Sequence, residues 1–350
     1  YKRQFLIFAG ILLALSIVYF VMEKAGKKKV IASVLIFAFC CGTGYSDSFA
    51  FWENNLTYEG ESVYNYLQVY ENDERVALST NVLFGVQSVY MKQDELTGMY
   101  YDYAMAAPLM LKDKPTDQMD VLILGMGTGT YATQCRKYFG DMNIEGVEID
   151  EKITDLSRKY FSLSEDVPVT TYDGRAFLNA SQKAYDVIMV DAYQDITIPF
   201  QMSSKEFFAL VKSHLKDDGV MVVNMNMRGT KEGNINQYLS DTIGSVFTTE
   251  VIVDVAGSSN RKLFASDDPD IGKNLTKHTG ELTNANLKNM MQEVASNLTE
   301  YQKGNYILTD DQAPVELLGM QVIDELIKDE VQYYKDIYKE RGIKGLMESL

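Results

Sequence analysis

The stretch VLILGMGTGTYATQCRKYFGDMNIEGVEID, residues 121–150, decides the fold of this chain. It joins an apolar run, three glycines at alternate positions (Gly125, Gly127, Gly129), a helical segment and a second apolar run that ends at Glu148. Glycines between a strand and a helix let a ligand approach the backbone closely, while the helix N-terminus faces that ligand. The stretch therefore predicts a cofactor-binding strand-loop-helix unit.

The spacing of the glycines selects the class of ligand. A dinucleotide fingerprint, G-x-G-x-x-G, would need glycine where this chain has Thr130, whereas G-x-G-x-G is typical of S-adenosylmethionine-type nucleosides. Glu148 and Ile149 then end the next strand, where a carboxylate would meet a ribose diol. In YDGRAF, Asp173 ends the following strand and can accept a hydrogen bond from an adenine amino group, while Gly174 allows close approach. Strand-end acids that only cap helices are the structural alternative.

Strand and helix patterns alternate through the larger part of the chain. From residue 111 the apolar runs VLIL, IEGVEI, VPVTTY, DVIMVD and VMVVNM alternate with helical stretches such as EKITDLSRKYF, which predicts an α/β domain with a doubly wound parallel sheet over residues 111–350. The segment EVIVDVAGSSNRKLFAS predicts two strands that add an antiparallel edge. Short apolar segments such as YNYLQVY and RVALST predict a small β-rich domain over residues 53–110.

The first part of the chain has a different composition. Uncharged apolar runs at residues 5–22 and 30–45 predict a membrane hairpin of two transmembrane helices over residues 1–52, with more membrane helices before residue 1. A cleaved signal peptide is the alternative, which two runs in tandem disfavour. We expect the protein at the cell membrane with its catalytic domain in the cytoplasm. The Lys-rich connector EKAGKKK opposes that orientation by the positive-inside rule, so the orientation stays open.

Composition excludes several classes of partner. The net charge of −16 argues against nucleic acid, because phosphate binding draws on clustered Lys and Arg. An acidic chain is compatible with a small cationic substrate, although acidity that serves solubility alone is more common. Cys40, Cys41 and Cys135 match neither a disulfide framework nor a zinc-ligand spacing, and the chain has only two histidines. We therefore expect no metal.

The segment VDAYQD continues the series of strand-end acids with Asp191 and Asp195. Together with ESVYNYLQV, GVQS, GMYYDY, LGMGTGT, VEID and DG, it occurs in the order typical of spermidine synthases, the polyamine aminopropyltransferases. With the apolar helices ahead of it, the chain resembles the membrane-fused branch of that family over about residues 58–318. The resemblance implies a Rossmann-like fold of the class I methyltransferase type and a role in polyamine biosynthesis.

The resemblance also implies the chemistry of the site. Such enzymes transfer an aminopropyl group from decarboxylated S-adenosylmethionine to a small amine such as putrescine, and the attacking amine must lose a proton. Asp191 takes the position of the base, and Asp195 helps to hold the cationic amine. The residues implied to line the substrate side are Tyr64, Asn65, Gln87, Tyr100 and Asp102. A homodimer is a further expectation. The alternative for Asp191 and Asp195 is a loop that caps the helix near Ser203.

The sequence departs from the family pattern at the amine side. Soluble spermidine synthases carry an aspartate directly after the second glycine, where this chain has Thr128. The D-x-x-D-P loop is lengthened to DAYQDITIP, and a Tyr-His-Glu motif has become Tyr100, Tyr101 and Asp102. Two other functions therefore stay open: a methyltransferase that uses S-adenosylmethionine itself, and a membrane-associated nucleoside-binding module without turnover.

Overall fold

The chain consists of two compact units, Tyr1–Glu59 and Gly60–Leu350. The computed structural model describes residues 2–23, 27–44, 55–80, 86–192, 198–226, 229 and 231–349. Residues 60–110 thus belong to the same unit as the α/β part of the chain. The division of the sequence at 52/53 and 110/111 into three domains stays a prediction.

The helices of the described residues, in chain order, are α1 (Lys2–Met22), α2 (Lys27–Gly44), α3 (Tyr100–Ala104), α4 (Ala106–Met110), α5 (Thr130–Phe139), α6 (Glu151–Tyr160), α7 (Gly174–Ala180), α8 (Lys205–Ser213), α9 (Ile235–Gly244), α10 (Ile271–Glu281), α11 (Ala285–Asn297) and α12 (Val315–Ser349). Gly342, at φ 65°, interrupts α12.

The strands of the described residues are β1 (Leu56–Glu61), β2 (Tyr66–Glu71), β3 (Arg75–Thr80), β4 (Ser88–Met91), β5 (Asp120–Leu124), β6 (Asn143–Glu148), β7 (Val169–Thr171), β8 (Tyr185–Val190), β9 (Leu215–Met225), β10 (Thr249–Asp254), β11 (Arg261–Ser266) and β12 (Thr299–Glu300).

Both apolar runs near the start of the chain are helical and form α1 and α2. Within the described part of the chain, however, no helix is long and apolar enough to cross a membrane. Three lysines open α2, so its uncharged part is shorter than the roughly 20 residues of a typical transmembrane helix. The prediction of two transmembrane helices is therefore not supported.

The large unit is built on a mixed sheet with the strand order β12-β10-β11-β9-β8-β5-β6-β7. Strands β9, β8, β5, β6 and β7 are parallel, as the alternation of apolar runs and helices predicted. The hairpin of β10 and β11 adds the predicted antiparallel edge, and β11 rather than β10 pairs with β9. The Rossmann-like α/β fold is confirmed.

Helices cover both faces of this sheet, because successive strand residues point to opposite sides. Val121 and Ile123 of β5 pack in one apolar core, with residues of α3, α4, α5, α10 and α11. Leu122 and Leu124 pack in a second core, with residues of α7, α8, α9 and α12. Unbroken apolar strands such as β8 are explained by this double cover.

The small sheet lies ahead of the α/β part in the chain. Strands β2, β3 and β4 pair antiparallel, with Val69 opposite Leu78 and Ala77 opposite Val89. The side chains of Val69, Leu78 and Val89 are fully or almost fully buried. This sheet corresponds to the β-rich segment that the sequence predicted, while β1 straddles the boundary between the two units.

The large unit contains a buried acid in β10, between β12 and β11. Glu250 of β10 is 1% exposed, and neither of its carboxylate oxygens has a hydrogen-bond partner among the described residues. Burial raises the pKa of Glu250 to about 8, and nearby Asp241 raises it further while Lys303 opposes the change. The folded state therefore holds a proton on Glu250 that the unfolded chain releases near its ordinary pKa of 4.5.

We expect Glu250→Gln to remove a pH-dependent destabilisation. Because the pKa of Glu250 is raised in the folded state, its contribution to the free energy of unfolding is fully present below pH 4.5 and is lost as the pH rises through about 8. The free energy of unfolding then falls by at most about 1.4 kcal/mol per pH unit. Melting temperatures measured from pH 5 to pH 9 should show a gain in the variant that grows with pH. Glu300→Gln, at an exposed position of β12, is the control. Parallel curves for parent and Glu250→Gln would contradict the assignment.

Candidate active site

A cavity of about 320 Å³ opens at the carboxyl ends of the parallel strands. This size and position are typical of ligand sites in open α/β folds. Most of the residues that the sequence singled out line it: Tyr64, Asn65, Gln87, Tyr100, Gly125, Gly127, Glu148, Ile149, Asp173, Gly174 and Asp191. The structure thus brings together residues that are more than 120 positions apart in the chain.

Three predicted site residues are not among the lining residues. Gly129, at φ 77°, is the N-terminal cap of α5, and a Cβ atom there would lie 2.7 Å from Leu163. Asp102 is 1% exposed and lies away from the cavity wall. Asp195 lies outside the described residues.

Asp102 has a structural role that the sequence did not indicate. Its Oδ2 accepts a hydrogen bond from the backbone N–H of Gly98 at 2.7 Å, and its Oδ1 accepts one from the Thr97 hydroxyl at 2.8 Å. These bonds fix the loop ahead of α3, much as a capping residue does. Both oxygens of Asp102 thus hold this loop, and its contact with the substrate stays a prediction.

The glycine loop after β5 lies between the ends of two neighbouring strands. The backbone N–H of Gly125 donates to Val147 O at 2.9 Å, and the N–H of Asp191 donates to Leu124 O at 2.9 Å. Gly125 has φ 83°, and a Cβ atom there would lie 2.5 Å from the carbonyl oxygen of Asp191. The protein's own backbone therefore requires glycine at this position.

Glu148 is the buried carboxylate of the nucleoside side. It is 7% exposed; Oε2 accepts from Gly127 N at 2.8 Å and Oε1 accepts from Asp150 N at 3.0 Å. Burial raises the pKa of Glu148, and the backbone donors oppose this change. A carboxylate offers about four acceptor sites, so each oxygen keeps one for a ligand hydroxyl. The geometry fits a ribose diol.

Asp173 and Gly174 form the next part of the same wall. Asp173 caps α7, because its Oδ1 accepts from Ala176 N at 2.8 Å, and its side chain is half-buried. Asp173 also lines the cavity, so one residue both caps α7 and forms part of the cavity wall. A Cβ at Gly174 would lie 3.1 Å from Met202, which leaves little room for a larger residue.

Tyr64 and Asn65 reach the cavity from the turn before β2. Asn65 Nδ2 donates to Asp150 Oδ2 at 2.9 Å, and the Ser62 hydroxyl donates to the same oxygen at 2.5 Å. Asp150 also caps α6 through Lys152 N. The turn is thus tied to the end of β6, directly beside Glu148, and places the Tyr64 side chain, which is 53% exposed, over the cavity mouth.

Asp191 lies at the end of β8 within a polar cluster. Asn224 Nδ2 of β9 donates to Asp191 Oδ1 at 2.9 Å. On the opposite side, the hydroxyl of Tyr100 donates to that of Tyr101 at 2.6 Å, and the Tyr101 hydroxyl donates to the backbone oxygen of Gln87. Burial within this cluster raises the pKa of Asp191, whereas Lys262 and the hydrogen bond from Asn224 lower it.

The position after the second glycine is closed to substrate. Thr128 is 1% exposed, does not line the cavity, and shares a hydrogen bond of 3.3 Å with the hydroxyl of Thr130. The lining residues within the described part of the chain include the acids Glu148, Asp173 and Asp191 but no Lys or Arg. The cavity is therefore negatively charged and suits a cationic ligand.

Several residues of the cluster were not predicted from the sequence. Asn224 and Lys262 are polar residues inside apolar strands, which is a signal that could have been used. Ser88, whose hydroxyl lies 3.4 Å from that of Tyr101, gives no such signal, because serine is common at strand ends. The sequence indicates Tyr101 only as the second residue of the Tyr100–Asp102 motif, whereas in the structure its hydroxyl donates to the backbone oxygen of Gln87.

The fold and the cavity define a Rossmann-like protein with a nucleoside site and a neighbouring acidic site. The family described as the spermine/spermidine synthase domain matches residues 99–255. A probable polyamine aminopropyl transferase from Bifidobacterium longum is 52% identical over 355 residues, which cover 96% of this chain and 78% of that protein. This chain therefore belongs to the spermine/spermidine synthase family of polyamine aminopropyltransferases, which are transferases.

Solved structures agree with the fold. A probable spermidine synthase from Corynebacterium glutamicum has a TM-score of 0.55 at 19% identity, over 72% of this chain and 98% of its own. A spermidine synthase in complex with a transition-state analogue also has a TM-score of 0.55, at 20% identity, over 69% of this chain and 84% of its own. The similarity supports the Rossmann-like architecture described above.

Glu148→Gln is expected to weaken nucleoside binding about tenfold or more. The change keeps the shape of the side chain but removes the charge that strengthens hydrogen bonds to ribose hydroxyls, which are worth about 1.5 to 3 kcal/mol. Calorimetry with a 5′-thioadenosine nucleoside measures the effect. Glu151→Gln, exposed on α6, is the matched control. Equal affinity in Glu148→Gln and parent would remove Glu148 from the site.

Proposed function

We propose that this chain transfers the aminopropyl group of decarboxylated S-adenosylmethionine to a small cationic amine, of the putrescine class, in polyamine biosynthesis. The observation that carries the proposal is the position of Asp191. Its carboxyl group lines the same cavity as Glu148 and Asp173, one strand away from the glycine loop. Nucleoside and amine would therefore meet in one enclosed site. Homodimer formation and the location of the enzyme in the cell stay predictions.

The nucleoside side is supported by the fit of its residues. Glu148 keeps acceptor capacity for two ribose hydroxyls, and Asp173 is placed to accept from the adenine amino group. Ile149 is 41% exposed beside them and offers an apolar surface for the base. Glu148, Ile149 and Asp173 would hold and orient the adenosyl group, which leaves the sulfonium side of the nucleoside toward Asp191.

The amine side supports one proton transfer and one substitution. The amine nitrogen attacks the methylene carbon next to the sulfonium; a C–N bond forms, the C–S bond breaks, and its electrons neutralise the sulfur. Asp191 accepts the proton that the amine must lose, because an alkylamine with a pKa near 10 is almost wholly protonated at neutral pH. Tyr64, Asn65, Gln87 and Tyr100 would line the path of the amine. The step balances without a metal ion.

The charge of the cavity favours the decarboxylated nucleoside over the intact one. Intact S-adenosylmethionine carries a carboxylate that needs a cationic or N–H partner when it leaves water. The described lining offers three acids and no Lys or Arg, so that carboxylate would have only neutral donors such as Gln87 and Gln201 to offset the repulsion. A cationic aminopropyl group would instead be attracted. This contrast supports aminopropyl transfer above methyl transfer.

Decarboxylated S-adenosylmethionine should raise the melting temperature of the full chain more than intact S-adenosylmethionine at equal concentration. At 100 times its dissociation constant a ligand adds about 2.7 kcal/mol of stability. Both nucleosides are compared by thermal shift, and the products are examined with putrescine present. Preference for the intact nucleoside together with a methylated product would establish the methyltransferase alternative. A shift with neither nucleoside would favour a module of another kind.

Asp191→Asn is expected to lower turnover by about 10²-fold or more while the affinity for nucleoside stays nearly constant. The amide keeps the acceptor for Asn224 but cannot take up the amine proton, and loss of a general base typically costs this factor. Initial rates of aminopropyl transfer and calorimetry of nucleoside binding are compared with parent. Asp217→Asn, exposed on β9, is the control. Equal turnover in Asp191→Asn and parent would show that Asp191 is not the base.

A further inference from the structure

Lys262 of β11 is buried within the large unit. Its side chain is 0% exposed, and its Nζ atom makes no hydrogen bond to any residue that the structure describes. Lysine is almost never fully buried unless it is paired, because an ammonium loses its hydration there. The desolvation cost of this ammonium must be offset by the groups that surround it. The neighbours of Lys262 therefore indicate its role.

Strand register places Lys262 level with Asp191. Lys262 lies opposite Asn224 in the antiparallel pair of β11 and β9. Val190 of β8 lies level with Val223 of β9, so the next residues, Asp191 and Asn224, are also level. Asp191, Asn224 and Lys262 thus form a row across three adjacent strands on one face of the sheet. Asn224 is hydrogen-bonded to Asp191 at 2.9 Å and separates the two charges.

Helix α3 covers this row. The Nζ atom of Lys262 lies 4.3 Å from the centroid of the Tyr100 ring, within the range of a cation–π interaction. Tyr100 stacks on Tyr101 with ring centroids 4.0 Å apart, and the two hydroxyls are hydrogen-bonded. The ammonium is therefore held in place by an aromatic face and lies behind the cavity wall rather than in the cavity.

The charges that face this row come from few groups. From α3 the titratable groups are Tyr100 and Tyr101; β9 contributes the neutral Asn224; and β10 places Val253 opposite Lys262. Arg261, next to Lys262, points to the other face and pairs with Asp254 at 2.6 Å. Lys262 lowers the pKa of Asp191 against the effect of burial, and burial lowers the pKa of Lys262.

We propose that Lys262 is a positioning residue for the transfer reaction: its ammonium, held against Tyr100 and level with Asp191, keeps the Asp191 carboxyl group ionised and so able to accept the amine proton. This inference rests on the proposed function, since it assigns Asp191 as the base. Lys262 acts through Asp191 and does not touch the substrate.

The proposal is tested on the full chain by the pH dependence of kcat/KM, which reports the ionisation of the base in the free enzyme. In Lys262→Met the acid limb should move to higher pH, by about one unit if the effect reaches the lower end of that of an adjacent opposite charge on a carboxyl group. Lys262→Arg keeps a positive charge and should keep the acid limb within about 0.3 pH units of parent. Lys273→Met, 83% exposed at its side chain on α10, is the matched control.

A second measurement does not need turnover. The carboxyl resonance of Asp191, identified by its loss in Asp191→Asn, is followed by NMR as a function of pH in the free protein. Its midpoint should be higher in Lys262→Met than in parent. An unmoved acid limb and an unmoved midpoint would overturn the proposal.

The two failures are distinguishable. A parent enzyme that does not transfer aminopropyl groups would overturn the proposed function. An active parent with the same acid limb as Lys262→Met would leave the proposed function intact and overturn only the role of Lys262.

Discussion

The close contact between the glycine loop after β5 and the end of β8 is the constraint on which the site depends. A Cβ atom at Gly125 would lie 2.5 Å from the carbonyl oxygen of Asp191, so the two backbones can approach only because residue 125 is glycine. The same loop is bonded to Val147 at the end of β6. One turn therefore sets the distance between the Glu148 and the Asp191 sides of the cavity, and any shift in it would separate the two substrates.

Buried polar groups around the cavity are held by backbone donors or by one another. Glu148 accepts two backbone N–H groups, and Asp150 ties the turn of Asn65 to α6. Such fully bonded groups rigidify a site. Lys262 differs from these groups, since its Nζ atom has no hydrogen-bond partner in the part of the chain that the structure describes. This cost falls next to Asp191, the carboxylate proposed as the base, and departures from local rules are expected at functional sites.

Predictions from the sequence succeeded where the chemistry follows from local order. In a parallel sheet the carboxyl ends of all strands meet at one edge, so Gly125, Glu148, Asp173 and Asp191 had to converge once the strands were recognised. The sequence gives less guidance where residues close together in the chain have side chains in different surroundings. Tyr100 lines the cavity while Asp102, two positions on, turns back to bond Gly98. The apolar runs were recognised as helices, but no membrane-spanning helix was found among the described residues.

The sequence by itself determined the order of strands and helices, the nucleoside class of ligand and the acid at the end of β8, because each depends on spacing within a short segment. Tertiary structure alone decided the surroundings of that acid. Lys262 lies 71 positions beyond Asp191, on an antiparallel strand inserted beside β9, and only the register of β8, β9 and β11 makes the two level. A shift of one residue in that register would turn Lys262 to the opposite face of the sheet, and no pattern local to RKLFAS encodes it.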